Sequence, residues 1–486
     1  MLVLLFITLS LFFNGVFFPG HTLFSNDGPL ARLMAESHKL PERFTGCWQD
    51  LNSAGYREPG AMPDISYGLL LLLKPVAFSK FYALTALLVL GLGAWCFFRQ
   101  SGLAPPACIL GGLAAVFNST FFSDACWGTA GHCIAVGMVF FALAALVNSS
   151  SSHPWLRVIL AGLAVGIAVT EGADFGAIFS LFVAAFILYW SWFDGASRGM
   201  NLTVGAGRLA LVAICAAVVS AQALSDLVAT NVIDVTTPKL GAHTPAERWD
   251  WATQWSLPKQ ETLSLVMPGI FGFRTDTPNG GSYWGKIGRD PAWIRFDENG
   301  QTGPKPDGFP RYTGSGYYAG VTAFLIALWT ALQALRRKGS VFNLAERRML
   351  WFWLAMGAGS LLLAYGRNAP FYGLVYRVPG FSMIRNPVKF LDVVSFSIVV
   401  LFGYGVDGLW RRHVQPAESR ATPRGSVLDG GSRIAPGFDQ NWVRGCALVL
   451  ALSVFAWIIY AVNQDSLQEY LRHSEFSEAY ATAIAA

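Results

Sequence analysis

The chain has 486 residues, of which 53% are hydrophobic and only 13% are charged, and its mean hydropathy is +0.42. This composition excludes an ordinary soluble globular protein and indicates a polytopic membrane protein. The formal net charge of +5 is attributed to loops on the cytoplasmic side of the membrane, so no nucleic-acid partner is expected.

The first predicted element is the apolar segment from Met1 to Phe18. At about 1.5 Å per residue it just spans a hydrocarbon core of about 30 Å. A cleaved signal peptide is the alternative, but the segment lacks a basic start, and no small-x-small cleavage site precedes Asp27. We therefore expect a retained first helix whose N-terminus is cytoplasmic.

The polar residues 19–66 form a predicted first outer loop, and the apolar segment from Tyr67 to Lys80 follows it. Lys74-Pro75 interrupts this segment, and a lysine beside a proline is costly at mid-membrane. We interpret the segment as an interfacial or re-entrant helix pair and do not count it as a span.

Apolar segments of spanning length recur along the whole chain, so residues 1–486 are interpreted as a single all-α membrane domain. About eleven transmembrane helices are predicted. They are Met1–Phe18, Tyr82–Phe98, Ala107–Phe117, Cys133–Val147, Leu156–Thr170, Phe175–Trp192, Leu209–Leu224, Ala319–Leu335, Met349–Ala364, Phe390–Leu409 and Ala447–Val462.

Three long polar stretches interrupt the predicted spans. Residues 225–317 are rich in aromatic side chains, which favours a folded outer excursion over a floppy loop. Residues 365–389 form an outer loop rich in Arg and Pro, and residues 410–444 form a basic cytoplasmic loop. If the spans alternate from an inside N-terminus, the basic short loops fall on one side, which the positive-inside rule makes cytoplasmic.

Asp27 is the first acid after the opening segment, and Gly28 and Pro29 hold it in a predicted turn. An exposed carboxylate here has the chemistry of a general base, or of a ligand that holds Mg²⁺ or Mn²⁺ against a diphosphate. A simple Asp-Gly turn with a solvated acid is the alternative.

Glu171 and Asp174 lie in a short turn between two predicted spans. Their i, i+3 spacing would place both on one side of a helical turn. Carboxylates at the edge of the apolar region suggest a functional site, with pairing to His132 or to an outer arginine as the alternative. Asp124 and His132 flank a further outer turn. Cys126 and Cys133 are interpreted as buried free thiols in preference to a disulfide.

The Arg/Pro loop carries Arg367, Arg385 and Lys389, a basic cluster that the positive-inside bias disfavours on the outer side. Guanidinium groups match phosphate oxygens in a two-pronged geometry. We expect a lipid phosphate or diphosphate to bind here, with ordinary anionic head groups as the alternative. The aromatic residues expected to stack on sugar rings are Trp251, Trp255, Tyr283 and Trp284.

A series of short motifs resembles the YfhO-like family of bacterial membrane proteins. The motifs are Leu265-Val266-Met267-Pro268-Gly269-Ile270-Phe271-Gly272, Tyr283-Trp284-Gly285, Tyr317-Tyr318-Ala319-Gly320, the run Pro379-Gly380-Phe381-Ser382-Met383-Ile384-Arg385-Asn386-Pro387-Val388-Lys389-Phe390, and the span end Gly403-Tyr404-Gly405-Val406-Asp407-Gly408-Leu409. The family is similar to C-type (GT-C) glycosyltransferases, which use polyprenyl-phosphate-linked sugars outside the cytoplasmic membrane.

The resemblance implies a GT-C-like arrangement of the helices. It places Asp27 at the position of the acid in the first outer loop, which serves as base or metal-site residue, and it places Arg385 near the donor phosphate. The usual Asp-Asp or Glu-x-Asp pairing is not obvious in this sequence, and Glu171 and Asp174 are the candidates for the second acid. Family members are commonly longer than this chain.

The resulting hypothesis is a glycosyltransferase of the bacterial cytoplasmic membrane. It would move a sugar from a polyprenyl-phosphate donor to an envelope polymer, lipid or protein. One alternative is a transporter or flippase for a lipid-linked or amphipathic substrate, which predicts ionisable groups or broken helices deep in the bundle. A non-catalytic scaffold for envelope assembly is the other.

Overall fold

The structure is a computed structural model. It describes residues 1–23, 25–45, 47–49, 56–58, 64–147, 153–193, 198–223, 225, 245–267, 269–274, 283, 285–289, 291–300, 302–306, 314–315, 317–336, 339–378, 385–414 and 437–473. Within these ranges the chain is predominantly helical, as expected for an all-α membrane protein.

The helices follow one another with short connections through most of the described chain. Those of the first half are α1 (Leu2–Phe12), α2 (Leu30–His38), α3 (Ile65–Gln100), α4 (Pro105–Val116), α5 (Ser119–Trp127), α6 (Gly131–Val147), α7 (Pro154–Glu171), α8 (Ala173–Phe193) and α9 (Arg198–Val219). Those of the second half are α10 (Pro245–Ala252), α11 (Pro291–Glu298), α12 (Val321–Leu335), α13 (Leu344–Ala364), α14 (Phe371–Tyr376), α15 (Phe390–His413), α16 (Gly437–Val462) and α17 (Gln464–His473).

Short strands accompany the helices in two of the polar stretches. Strand β1 (Cys47–Gln49) pairs antiparallel with β2 (Tyr56–Glu58) in the first loop. Strand β3 (Phe273–Arg274) pairs antiparallel with β4 (Gly314–Ser315) in the long excursion. The described parts of residues 225–317 therefore contain folded elements, including α10, α11 and the 3₁₀ helix Lys259–Leu265.

Five helical segments among the described residues are long and apolar enough to cross a membrane. They are Ile65–Gln100, Pro154–Glu171, Ala173–Phe193, Leu202–Val219 and Pro387–His413. The pair α4 and α5, bent by 47° at its junction, makes a sixth if it is one span. These helices indicate a multi-pass membrane protein. A helix covers most of each of the eleven predicted segments, but the count of eleven and the GT-C-like arrangement stay predictions.

The segment Tyr67–Lys80 contains the break of a helix pair, as predicted. Lys74 has a non-helical φ of 63° and ψ of 162°, which separates two helical stretches of α3 directly before Pro75. The second stretch begins at once, because Pro75 fits the first turn of a helix. It continues to Gln100, so the predicted end at Lys80 is wrong and this stretch is one helix with the predicted span Tyr82–Phe98.

The predicted outer turn from Asn118 to His132 contains a helix as well. Asn118 is 1% exposed, and its side-chain oxygen accepts a hydrogen bond from the Thr120 N–H at 3.1 Å, which caps the start of α5. Helix α5 (residues 119–127) follows α4 after a bend of 47°. At about 1.5 Å per residue the two pieces together span about 30 Å.

Small residues let the helices approach closely. A Cβ added to Gly137 of α6 would lie 3.0 Å from the Cα of Leu90 in α3, and one added to Gly162 of α7 would lie 2.9 Å from the Val212 carbonyl oxygen in α9. In membranes such contacts replace the hydrophobic driving force between helices with close packing.

Helix α15 lies at the centre of the packing. Its best spanning segment is 94% buried. The ring of Phe396 packs against Phe140 of α6, Phe179 of α8 and Trp353 of α13, with centroid separations of 4.0, 5.4 and 5.0 Å. A helix buried on all sides needs no polar face, so any ionisable side chain on α15 requires a specific explanation.

One end of the bundle carries a network of ion pairs and caps, and we call it the basic end. Asp407 of α15 accepts a hydrogen bond from the Ala104 N–H at 2.7 Å, and its other oxygen lies 2.9 Å from Arg411 Nε. Arg411 also pairs with Glu346, which forms a capping box with Asn343 at the start of α13. The network ties together the start of α4, the start of α13 and the end of α15.

Candidate functional site

Most of the predicted site residues lie at the opposite end of these helices, which we call the acidic end. It is formed by the first loop, the start of α3, the α5–α6 turn, the α7–α8 turn and the residues before α15. Side chains at this end with carboxyl groups include Asp27, Asp64, Asp124, Glu171, Asp174 and Asp392. The structure divides them into three groups with different partners.

The loop around Asp27 is fixed by backbone contacts to the end of α5. The Asp27 N–H donates to the Trp127 carbonyl oxygen at 3.0 Å, and the Gly28 N–H donates to Ser25 Oγ at 2.9 Å. Gly128 ends α5 with a φ of 108°, and a Cβ there would lie 2.7 Å from the Gly28 nitrogen. The Asp27 side chain is exposed, so the structure confirms the predicted turn that presents this carboxylate.

A cavity of about 190 Å³ opens beside this loop. Asp27, Arg32 and Glu36 bring ionisable groups to its wall, and the guanidinium of Arg32 donates to the Asp27 carbonyl oxygen at 3.1 Å. The apolar part of the wall includes Leu33, Leu70, Phe78 and Ala83. A cavity with an apolar wall and a few polar groups suits a ligand with both characters.

Glu171 contacts the same cavity through the start of α3. One of its oxygens accepts hydrogen bonds from the N–H groups of Ile65 and Ser66, at 2.5 and 3.2 Å, and the other accepts from Ser66 Oγ at 2.5 Å. Ser66 Oγ in turn bonds the Tyr82 hydroxyl, and Ser66 and Tyr82 both line the cavity. The carboxylate accepts hydrogen bonds from N–H groups that a helix start leaves unpaired. The positive end of the helix dipole stabilises its negative charge.

Asp64 caps the same helix, accepting a hydrogen bond from the Tyr67 N–H at 2.6 Å. Burial, together with the neighbouring Glu171, raises the pKa of the Asp64 carboxyl to about 7. The sequence analysis did not single out Asp64 or Ser66. Their signal was present as an Asp three residues before a tyrosine at the start of an apolar run, which is typical of a helix N-terminus.

Glu171 and Asp174 do not share a helical turn, so the predicted common side is wrong. Helix α7 ends at Glu171 and α8 begins at Ala173, with Gly172 between them in an extended conformation (φ −155°, ψ 92°). Glu171 binds the start of α3, whereas Asp174 forms an ion pair with the ammonium of Lys389. The glycine uncouples the two side chains, which spacing alone could not reveal.

Asp124 and His132 face each other across the α5–α6 turn. His132 Nδ1 lies 3.7 Å from Asp124 Oδ2, and its ring stacks on Phe175 at 3.8 Å. The neighbouring thiols of Cys126 and Cys133 are both free, as predicted, but the predicted burial is correct for Cys133 and wrong for Cys126. Cys133 is buried and lies 3.0 Å from the Phe121 carbonyl oxygen, whereas Cys126 is exposed.

Arg385 and Trp251 meet on the surface, which joins the predicted phosphate-binding and sugar-binding groups. The guanidinium lies over the indole ring, 4.8 Å from its centroid, and both side chains are exposed. Backbone bonds hold the two segments together: the Asn386 N–H donates to the Ala252 carbonyl oxygen and the Val388 N–H to that of Trp255, at 2.8 and 3.0 Å.

Arg367 has structural contacts of its own. Its guanidinium donates to the carbonyl oxygens of Thr253 and Asp250 at 3.0 and 2.6 Å, and its own N–H donates to Ser256 Oγ at 3.1 Å. These bonds attach α10 and the chain after it to the Gly366–Asn368 turn. The predicted contact of Arg367 with phosphate stays a prediction.

Two of the remaining predicted sugar-binding residues, Trp255 and Tyr283, have less accessible positions than Trp251. The ring of Trp255 packs over Gly288, where a Cβ would lie 2.7 Å away. Tyr283 is buried and its hydroxyl donates to the Glu261 carboxylate. Trp284 lies outside the described residues. Among the predicted sugar-binding residues that the structure describes, Trp251 is exposed and lies beside the guanidinium of Arg385.

Asp392 is a further acidic residue that the sequence analysis missed. It lies in the first turn of α15, is 3% exposed, and its Oδ1 has no hydrogen-bond partner among the described residues. Asp124 and Lys389 interact with it electrostatically. Its signal was available, because an aspartate inside a predicted span is itself a pointer to function.

The predicted metal ion would depend on Asp27 and on the phosphates of a substrate. No group of three or more His, Cys, Asp or Glu side chains in the described ranges is arranged to hold a metal ion. Since Mg²⁺ is commonly held by one or two carboxylates together with substrate phosphates, the Mg²⁺ or Mn²⁺ ion at Asp27 stays a prediction, and we derive no step through a metal.

Comparison with known proteins adds no assignment. No family model, no curated protein and no solved structure matches the chain. The resemblance to the YfhO-like family and its relation to GT-C glycosyltransferases consequently stay predictions from the sequence motifs.

Proposed function

We propose that the chain is a membrane glycosyltransferase that moves a sugar from a polyprenyl-phosphate donor to a cell-envelope acceptor. The observation that supports this most is the position of Asp27. Its exposed carboxylate stands on the wall of a cavity that is apolar on one side and ionisable on the other. A polyprenyl phosphate has the same two characters.

The acidic end would face the outside of the bacterial cytoplasmic membrane, and the N-terminus would be cytoplasmic. The clustering of Arg411, Arg157 and Arg347 at the basic end supports this orientation through the positive-inside rule. The cavity would then open to the outer leaflet, where lipid-linked sugars are used by the enzymes that the motifs resemble.

Asp27 would act as the general base. It would take the proton of an acceptor hydroxyl while that oxygen forms a bond to the anomeric carbon of the sugar. The bond between that carbon and the phosphate oxygen would break, and polyprenyl phosphate would leave with the electron pair. Arg32, in the same cavity wall, would neutralise the phosphate, and Leu33, Leu70 and Phe78, which also line the cavity, would contact the first isoprene units.

Arg385 and Trp251 would bind a sugar outside this cavity. A pyranose ring presents an apolar C–H face that packs on indole, and the guanidinium offers hydrogen bonds to its hydroxyls or to a phosphate. Lys389, which the sequence analysis assigned to phosphate, is paired with Asp174 and would contribute charge rather than a free ammonium group.

The test is transfer by purified protein in vesicles that contain a radiolabelled polyprenyl-phosphate sugar and an envelope acceptor fraction. Asp27→Asn should lower turnover by about 10²-fold or more, the usual contribution of a general base. Asp465→Asn, which removes an exposed acid outside the cavity, should leave turnover unchanged. Absence of transfer by the wild-type protein across a panel of donor sugars would contradict the proposal.

Transport of a lipid-linked or amphipathic substrate is the second candidate, because the structure contains a bent helix pair that would form a broken span. The α4–α5 pair bends by 47° at a junction where Asn118 is buried. Broken helices are typical of transporter binding sites. In the same vesicles, movement of a fluorescent lipid-linked sugar between leaflets without transfer would favour transport, whereas transfer without such movement would favour the enzyme.

A further inference from the structure

A seam of buried polar side chains runs between α5 and α15. Thr120 Oγ1 of α5 lies 3.3 Å from Ser395 Oγ of α15, and both residues are buried. One turn away on each helix stand Asp124 and Asp392, which interact electrostatically. Asn118, at the bend before α5, is also buried and its Nδ2 has no hydrogen-bond partner among the described residues. Polar groups inside a transmembrane bundle are costly and by default have a function.

The charges around this seam do not balance if every acid is ionised. The carboxyl groups are those of Asp124, Asp174 and Asp392. Lys389 is bound to Asp174, and His132 is the group closest to Asp124. Neither cation is therefore committed to Asp392, whose Oδ1 is buried and unpartnered among the described residues.

Two further titratable groups face the seam and carry no positive charge. Cys133 of α6 and Tyr317, which precedes α12, each interact electrostatically with both Asp124 and Asp392. The Cys133 thiol is directed to the Phe121 carbonyl oxygen. Neither group can neutralise a buried carboxylate by ion pairing.

A second buried aspartate on the same helix provides a contrast. Asp407 is as buried as Asp392, but it accepts the Ala104 N–H and forms an ion pair with Arg411. Asp407 thus has a neutral donor and a cation of its own. Asp392 has its own backbone N–H and the electrostatic contact with Lys389, which is already paired with Asp174, and its Oδ1 has no partner among the described residues. When a buried carboxyl group interacts with a second acid and with too little positive charge, the buried group holds a proton.

We propose that Asp392 is a proton-binding site, in which the carboxyl group carries a proton at neutral pH. The ligand is the proton itself, and Asp124 is the facing group that makes its retention favourable. The site is independent of the proposed sugar transfer, because Asp392 does not line the Asp27 cavity.

The test is infrared difference spectroscopy of the full-length protein in lipid vesicles at neutral pH. The C=O stretch of a protonated, buried carboxylic acid should contain a component in the wild-type protein that Asp392→Asn lacks. This component should persist in Asp407→Asn, the matched control in which the replaced acid forms an ion pair with Arg411. An identical C=O region in wild type and Asp392→Asn, or loss of the band in Asp407→Asn, would overturn the proposal.

Thermal unfolding gives a second readout on the same three proteins. Asparagine is an uncharged isostere of the protonated acid, so Asp392→Asn should unfold at or above the wild-type temperature at neutral pH. Asp407→Asn should unfold at a lower temperature, because Arg411 loses its charged partner. A large drop in stability or failure of Asp392→Asn to fold would show that the ionised form is needed, and would also contradict the proposal.

Discussion

At the scale of single residues, the start of α3 concentrates the titratable chemistry that the sequence did not reveal. Asp64 and Glu171 come from different parts of the chain and accept hydrogen bonds from neighbouring N–H groups of the first turn of α3, those of Tyr67 and Ile65. Local spacing makes a capping aspartate visible, but the contact between Ile65 and Glu171 joins residues 106 positions apart. No pattern in the sequence indicates such a contact.

Asp64 should make stability depend on pH. Its pKa is raised by burial, and by Glu171, to about 7 in the folded protein, against about 4 in the unfolded chain. As the pH rises from about 4 to about 7, the unfolded chain loses this proton first, so the free energy of unfolding falls. Above a pH of about 7, Asp64 is ionised in both states and the free energy of unfolding no longer changes with pH through this group.

The measurement is thermal unfolding in detergent across this pH range, compared between wild type and Asp64→Asn. The asparagine variant should lack the part of the slope that Asp64 supplies. Equal slopes in the two proteins would show that the carboxyl of Asp64 has an ordinary pKa.

Glu171 should contribute mainly to stability. Glu171→Ala leaves the N–H groups of Ile65 and Ser66 without their acceptor, at a cost of about 1–3 kcal/mol for each buried group left unpaired. Glu171→Gln keeps one acceptor oxygen and should fall between wild type and alanine in unfolding temperature. If Glu171→Ala is as stable as wild type but inactive in sugar transfer, the residue is catalytic and this assignment is wrong.

The predicted site residues divide according to how far their partners lie in the sequence. The exposed turn at Asp27 was predictable because Asp-Gly-Pro sets its backbone locally. The ion pair of Asp174 with Lys389 and the stacking of Arg385 on Trp251 join distant segments. In these cases the sequence indicated the residue types that matter but not their partners.

At the scale of elements, the kink in α3 lies where the Lys74-Pro75 pair predicts it. The length of the helix after the kink was not predicted. Lys74 adopts a φ of 63° with a ψ of 162°, a region that is essentially restricted to glycine. The position of Lys74 directly before a proline predicted the interruption, because the residue before a proline disfavours the helical conformation. The helical direction after Pro75 depends on packing against α6, which no local pattern contains.

Lys74→Gly should therefore stabilise the protein by about 1 kcal/mol, because glycine adopts this conformation without strain. Lys80→Gly is the control on the same helix. It should destabilise the protein, since it adds a glycine to a helix interior and removes the hydrogen bond from the Lys80 ammonium to the Phe18 carbonyl oxygen. Unfolding temperatures of the two variants decide the matter, and a loss of stability in Lys74→Gly would contradict the account of the kink.

At the scale of the whole molecule, alternation of helices predicted the division of loops between two ends. The basic network of Asp407, Arg411 and Glu346 and the acidic group around Asp27 and Glu171 lie at opposite ends of α15 and its neighbours. Apolarity and helix order were sufficient for this division. They were not sufficient for the number of spans, because helices such as α1 and α6 are apolar but short.

Cysteine labelling tests which end faces outward. Cys126 is exposed and lines the Asp27 cavity, whereas Cys133 is buried. Two variants are needed, one that retains only Cys126 and one that retains only Cys133, with the other six of the seven cysteines replaced in each. A membrane-impermeant maleimide added to intact cells should label the Cys126 variant and not the Cys133 variant. Labelling of Cys126 only after the membrane is opened would place the acidic end in the cytoplasm and remove the basis for an outer-leaflet donor.

The most direct measurement of the central claim is photocrosslinking with a polyprenyl phosphate that carries a photoreactive group near the phosphate. In vesicles, the crosslinks should map to residues 23–36 and 66–83, which surround the cavity. An excess of unlabelled polyprenyl-phosphate sugar should suppress them. Crosslinks distributed over the lipid-facing helices, with no suppression, would show that the Asp27 cavity does not bind the donor.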